Sequence, residues 1–324
     1  MDRLRMIHYF VETVRCGGFS RAGRELGLTP ASISRQVSQL EDRLGLRLLN
    51  RTTRQLSLTE AGELFFERVS RVVEDLAEAD EIVRGLRDGP SGVLRVTAPA
   101  SFGRLHIAPC LAGFLDAYPQ IKLDLVFTDR LVHLLDEKID VAIRITAAPD
   151  SSMISRMLAR QHSIVCIAPS YAEKRGQPKR FEALGEHNCL TYGAAGASTW
   201  RFYDDKREVA QVEVAGNVHA RDGDSIYVAT LAGVGISLQP IWRVAEDLKA
   251  GRLVPLFPGF WASSIGGASA IHAYYVHRRH LAPKIKAFVD YLADAYRSPP
   301  YWERGVDIGL PAPRMTARGR RRAE

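Results

Sequence analysis

The stretch from Gly18 to Gly62 constrains this chain most, because it spells two short helices and a hairpin with their punctuation in place. It reads GGFSRAGRELGLTPASISRQVSQLEDRLGLRLLNRTTRQLSLTEAG. Ser20 is placed to cap a helix that runs to Leu26 and stops at Gly27. Thr29 caps a second helix whose first position is Pro30, where a missing N–H costs nothing. Ile33, Val37, Leu40 and Leu44 then recur at helical spacing, so one stripe of this helix is buried. Its other face carries Ser32, Ser34, Arg35, Gln36, Ser38 and Gln39, all hydrogen-bonding and none acidic. Such a face suits a helix that enters the major groove of DNA and reads base edges. An ordinary amphipathic pair with a solvated face is the competing reading.

The segment after the second helix weighs against that competitor. Arg47, Arg51 and Arg54 lie in it, interrupted by Asn50 and Thr52-Thr53 before Leu56 and Leu58. A short basic hairpin after a recognition helix is a wing, suited to phosphate contacts. On the residues LGLTPASISRQVSQLEDRLGLRLLNRTTRQLSLTEAG, the stretch resembles the winged helix-turn-helix of LysR-type transcriptional regulators. Gly23 departs from the alanine expected in that pattern, at about 1 kcal/mol against Ala in a helix interior.

Charge sharpens the division of the chain. Residues 1–58 hold ten arginines against five acids, whereas 59–88 hold four arginines against nine acids. The whole chain carries +7, so the basic head is the nucleic-acid candidate. Residues 59–88 read as one long helix capped by Thr59, with Glu60 in its first turn. Phe65, Val69, Val72, Leu76, Ala79 and Val83 recur along it at alternating spacings of four and three, the pattern of a dimerising seam. The resemblance implies dimerisation through this helix and a homotetramer as the usual assembly.

Gly89-Pro90-Ser91-Gly92 ends the helix and opens a hinge. Beyond it strands alternate with helices, so residues 89–297 form an α/β domain with a mostly parallel sheet. The resemblance implies a two-lobed, periplasmic-binding-protein-like effector domain. Lobe one would take 92–161 and 270–297, and lobe two 162–269. Residues 298–324 are rich in Pro, Gly and Arg, lack periodicity, and are expected to be a basic, disordered tail.

For DNA, the binding candidates include Ser20, Thr29 and Pro30 at the helix starts, with Ser32, Ser34, Arg35 and Gln36 as the base-edge candidates. Arg51 and Arg54 are phosphate candidates; Gln39 and Arg43 fit backbone contacts or plain solvation. For a small effector, strand ends and helix starts of an α/β sheet direct attention to Ala100, Ser101 and Phe102, to Thr128 and Asp129, and to Arg144. Asp222 and Asp224 open a helix in lobe two, and Trp200 could form an apolar wall. Ser101, Thr128 and Asp224 fit plain helix caps equally well. The resemblance raises Ser101 and Thr128, because family effectors bind between the lobes. A helix start near Ser101 with Arg144 close by favours a small anion.

No catalytic constellation is present: there is no Gly-rich phosphate loop and no G-x-S-x-G turn. His277 and His280 lack a third ligand, so neither metal nor cofactor is expected. Cys16, Cys110, Cys166 and Cys189 lie far apart and read as buried reduced thiols. No apolar run approaches the length of a membrane span, so a cytoplasmic protein is expected. The partners implied are double-stranded promoter DNA, a small effector, further copies of the chain and, for a transcriptional role, RNA polymerase. The alternative is a solute-binding module whose basic head is a nonspecific DNA anchor.

Overall fold

The computed structural model describes residues 3–51, 56–130, 134, 137, 139–147, 153–193, 196–275, 281–306 and 308–309. Two units separate by internal contacts, Met1–Gly89 and Pro90–Glu324.

In the first unit, α1 (Arg3–Arg15), α2 (Phe19–Leu26) and α3 (Pro30–Leu44) precede a two-stranded hairpin, β1 (Leu49–Arg51) and β2 (Leu56–Leu58), and then α4 (Glu60–Asp88). Thr29 caps α3 by accepting the Ser32 N–H at 3.2 Å, with Pro30 at the first position. Gly27 and Gly45 end α2 and α3 in the left-handed region, as such stops require. The start of α2 differs from expectation. The N-cap position is Gly18, without a side-chain cap, and Ser20 lies exposed in the first turn. The chain leaves α1 through Gly17 and Gly18, both at positive φ, and is already helical at Phe19.

Met6, Phe10, Val11, Ile33, Val37 and Leu40 form the core of this unit, completed by Val69 and Val73 from α4. Phe65 and Phe66 stack around Phe10, at ring separations of 5.8 and 6.3 Å. The supposed seam is therefore divided. Phe65 and Val69 pack into the unit's own core, whereas Val72, Leu76 and Ala79 are exposed. The side chain of Val83 lies outside the described residues. At 100° per residue, Gly62, Phe66, Val69 and Val73 centre roughly 70° round the helix from the seam. One flank of the apolar stripe thus faces inward and leaves the other bare. Gly62 marks the tightest approach: a Cβ there would lie 2.0 Å from the Leu48 carbonyl oxygen.

The second unit begins with β3 (Gly92–Ala98), followed by helical turns that start with α5 (Ala100–Phe102) and end with α6 (Leu111–Ala117). Then come β4 (Ile121–Phe127), β5 (Val141–Thr146) and β6 (Ile154–Gln161). Between β4 and β5, residues 131–133, 135, 136 and 138 lie outside the described residues. Next are β7 (Ser163–Ile167), α7 (Pro169–Arg175), β8 (Cys189–Tyr192), β9 (Ser198–Tyr203), β10 (Glu208–Val214) and β11 (His219–Ala220). The chain continues with α8 (Gly223–Leu231), β12 (Ile236–Pro240), α9 (Ile241–Lys249), β13 (Val254–Pro255), β14 (Trp261–Ser263), β15 (Ser269–Tyr275) and α10 (Pro283–Ala295).

These strands make two sheets, one per lobe. The first has the order β4-β3-β5-β15-β6, with β3 parallel to β4 and β5 and β15 antiparallel to its neighbours. The second runs β10-β9-β14-β7-β12-β8-β11, with β13 against β7. Both sheets are mixed rather than mostly parallel: β15 returns from lobe two and enters the first antiparallel, and in the second β7 pairs antiparallel with β12, β13 and β14, as β9 does with β10 and β14. The crossover from β6 to β7 is a single residue, His162. Ala142, Leu134, Ile139 and Tyr274 form a small cluster on one face of the first sheet, and Val141, Ile143 and Ile271 join the large core on the other.

The end of the chain is not all tail. Tyr301–Glu303 forms a 3-10 turn, and Trp302 is 3% exposed within the large core. An aromatic ring that finds a partner cavity overrides a disorder-prone composition. Residues 310–324 lie outside the described residues.

Candidate functional site

On α3, Ser32 and Arg35 are exposed and Ser34 is half-buried. Gln36, expected on the reading face, is buried at 8% exposure. Three residues advance a helix by about 300°, so Gln36 stands only some 60° from Ile33 and falls on the flank of the buried stripe. Asn50 is exposed on β1, its amide donating to the Leu58 carbonyl; the side chain of Arg51, and Arg54 altogether, lie outside the described residues.

The hairpin is fastened to α3 by a residue that sequence reasoning left unassigned. Glu41, 7% exposed, accepts the backbone N–H groups of Leu48 at 2.9 Å and Leu49 at 3.1 Å. An acid within a helix gives no local sign that its partners sit seven and eight residues away. Thr59 completes the joint, donating to the Arg47 carbonyl at 2.7 Å while capping α4 at the Gly62 N–H.

In the second unit, a cluster bridges the lobes beside the start of α5. Ser101 Oγ and an Arg104 Nη both donate to the carboxylate of Asp224 at the start of α8. Arg243 on α9 stands behind it, Nε 3.5 Å from the same carboxylate, with its guanidinium 4.8 Å over the Trp242 ring. Burial opposes ionisation of Asp224, but the Ser101 hydroxyl and the Arg104 and Arg243 guanidinium groups hold its carboxyl below the usual range. The same burial lowers Arg243, whose side chain is 12% exposed. Arg104 and Arg243 were missed from sequence, being separated by 139 positions with no motif between them.

The remaining expectations divide. Asp129 accepts the Ala100 N–H at 3.1 Å, so the first N–H of that helical stretch is already occupied. Thr128 accepts the Arg130 N–H at 3.2 Å and shapes its own turn. Asp222 caps α8 through the N–H groups of Asp224 and Ser225, and the Ser225 hydroxyl holds its carboxyl low. Phe102 is fully buried among Trp242, Tyr296 and Trp302, a core residue rather than a cleft wall. Trp200 is likewise core, 2% exposed in lobe two, because β9 turns that position inward. Arg144 alternates with Ile143 and Ile145 on β5 and stands opposite His272 on β15, on the sheet face of Ala142 and Tyr274. The cations that meet Asp224 are Arg104 and Arg243 instead.

A capped recognition helix with a short hairpin, followed by a two-lobed α/β domain with a polar cluster between its lobes, defines a DNA-binding regulator with a sensor domain. Residues 4–63 match the bacterial regulatory helix-turn-helix protein, lysR family, and residues 87–297 match the LysR substrate binding domain. The chain belongs to the LysR family of transcriptional regulators. It is 32% identical over 286 residues to the HTH-type transcriptional regulator CrgA of Neisseria meningitidis serogroup C, covering 88% of this chain and 94% of that one. It is 31% identical over 291 residues to DmlR of Escherichia coli K12, covering 89% and 93%. The solved structure of CrgA from Neisseria meningitidis superposes with a TM-score of 0.57 at 31% identity, covering 90% of this chain and 97% of that one.

Proposed function

We propose that Ser32, Ser34 and Arg35 read base edges while Arg51 and Arg54 hold phosphates. The observation that carries this is the cap at Thr29, which starts α3 so that Ser32 and Arg35 face outward. Arg pairs bidentately with guanine, an interaction that carries about 1–3 kcal/mol of discrimination between bases. Footprinting on DNA flanking the protein's own gene supplies the operator. Arg35→Ala should then lose operator affinity by about that amount while random DNA is bound as before. Equal losses on both would remove Arg35 from the readers.

The exposed half of α4, with Val72, Leu76 and Ala79, pairs with the same helix of a second copy, and two such pairs make a tetramer. A small anion binds between the lobes, its carboxylate taking the place of Asp224 on Ser101 and Arg104. That exchange releases the contact between α8 and lobe one and so changes the lobe arrangement. The protein acts in the cytoplasm as a regulator rather than an enzyme, and RNA polymerase is the machinery it addresses. Among the described residues no helix is long and apolar enough to cross a membrane.

A further inference from the structure

We propose that residues 299–306, with 308 and 309, are a strap that fastens lobe two to lobe one beside their crossover, and that its release changes the lobe arrangement independently of the effector cleft. The strap touches both lobes. Tyr301 Oη lies 2.6 Å from His106 Nδ1, and His106 Nε2 lies 3.0 Å from the Trp242 carbonyl oxygen. A carbonyl only accepts, so the proton sits on Nε2 and the Tyr301 hydroxyl donates to Nδ1. One imidazole thereby ties the first helical stretch of lobe one to α9, which follows lobe-two strand β12, and both to the strap.

Trp302 closes the junction. Its ring lies 4.6 Å from His106 and 5.1 Å from Tyr296, with Phe102 at 6.1 Å. Glu303 then reaches His162, the single crossover residue between β6 and β7, at 3.8 Å. Further on, the Ile308 carbonyl accepts the Gly259 N–H of lobe two at 2.9 Å. Gly309 presses against Gly259 so closely that a Cβ would lie 2.9 Å from its nitrogen. The close approach and a positive φ together require glycine at 309, whereas at 259 the positive φ favours it.

Between these anchors much of the strap is open to solvent. Tyr301, Arg304, Gly305 and Gly309 are exposed, and the apolar contact comes from two buried rings, Pro300 and Trp302, with half-buried Val306 and Ile308 beside them. Segments held by few buried groups occupy the low end of local stability and open without global unfolding. Neither sheet depends on the strap, since among the described residues no strand of either pairs with it. Opening would take the Tyr301 hydroxyl from His106, the Trp302 ring from the junction and the Glu303 carboxylate from His162 together.

Hydrogen exchange on the full-length protein tests this, comparing wild type with Trp302→Ala. Peptides covering residues 161–163 and α9 should exchange at least about tenfold faster, with β3, β5, β8 and β9 unchanged. Uniform acceleration across β3 and β5 would make Trp302 a plain core residue and overturn the strap. Unaltered exchange at the crossover would do the same. Should Trp302→Ala fail to fold, the double variant Tyr301→Phe, Glu303→Gln keeps the ring and removes only the hydroxyl and the charge. It should raise exchange at the same two places several-fold, and no change there would overturn the proposal.

Discussion

Glu41→Ala is the substitution through which the DNA-binding unit can be interrogated most directly. The Glu41 carboxylate accepts two buried N–H groups, those of Leu48 and Leu49, at the turn from α3 into the hairpin. Removing it leaves both donors unsatisfied, and each such loss costs about 1–3 kcal/mol. The substitution should therefore destabilise the first unit by about 2–6 kcal/mol, the scale of an entire small domain's margin. Glu41→Gln retains an acceptor but not the charge, and charge-assisted bonds are about twice as strong as neutral ones, so it should cost less than half as much. All four tryptophans (Trp200, Trp242, Trp261 and Trp302) lie in the second unit, so their fluorescence is blind to this change. Amide exchange at Leu48 and Leu49, with calorimetry of the full chain, provides the measurement. Affinity for operator and random DNA should fall together, because the hairpin loses its fixed relation to α3. Unchanged protection at both amides, with a shift under about 0.5 kcal/mol, would refute the role assigned to Glu41.

The same structure sets the outcome of several other perturbations. Val72→Glu should leave the monomer folded, because Val72 is 52% exposed, yet lower the oligomeric state in sedimentation. Val73→Glu, at an 8% exposed core position, should instead unfold the first unit; an unchanged oligomer in the Val72 variant would exclude α4 as the interface. Asp224→Asn removes the negative charge facing Arg104 and Arg243, so small carboxylates should raise the melting temperature more in this variant than in wild type. Equal shifts would mean that Asp224 does not occupy the anion's place. Burial lowers His106 from 6.5 to about 4, so the unfolded chain binds a proton that the folded one refuses between those values. Stability should accordingly fall as pH drops from about 6.5 to 4, by about 3 kcal/mol, and His106→Asn should remove that part of the slope.

How much of this was legible in the sequence depends on how far apart the interacting residues stand. The start of α3 was readable because Thr29 and Pro30 act within one turn. Ser20 misled by its chemistry: a good capping residue stood two positions after a glycine pair that had already turned the chain. Gln36 misled by angle, since a polar residue on the flank of a stripe is buried once neighbouring helices overlap it. The α4 seam was visible as a period, but periodicity reports that a face is apolar and not which partner covers it. Here one helix serves two, its own core through Val69 and an open flank through Val72. Arg104 and Arg243 were beyond local reasoning, because Arg104 meets Asp224 from the other lobe and Arg243 reaches it from the next helix of lobe two, 19 positions on.

Trp302 is the instructive failure. Proline, glycine and arginine around it have the composition of a disordered segment, yet such segments are poor in aromatic residues. Tyr301-Trp302 was the contrary signal, two adjacent rings in a stretch with few apolar side chains to bury them. A ring without local neighbours must find distant ones or stay exposed, and Trp302 finds His106, Tyr296 and Phe102. Composition averaged over a window therefore describes the cost of ordering a segment, whereas a single anchor decides where along it that cost is met. The ordered part reaches at least to Gly309, where a glycine pair brings two backbones into contact. An aromatic pair inside a low-complexity end therefore marks an anchor, but not how far beyond it the anchored stretch runs.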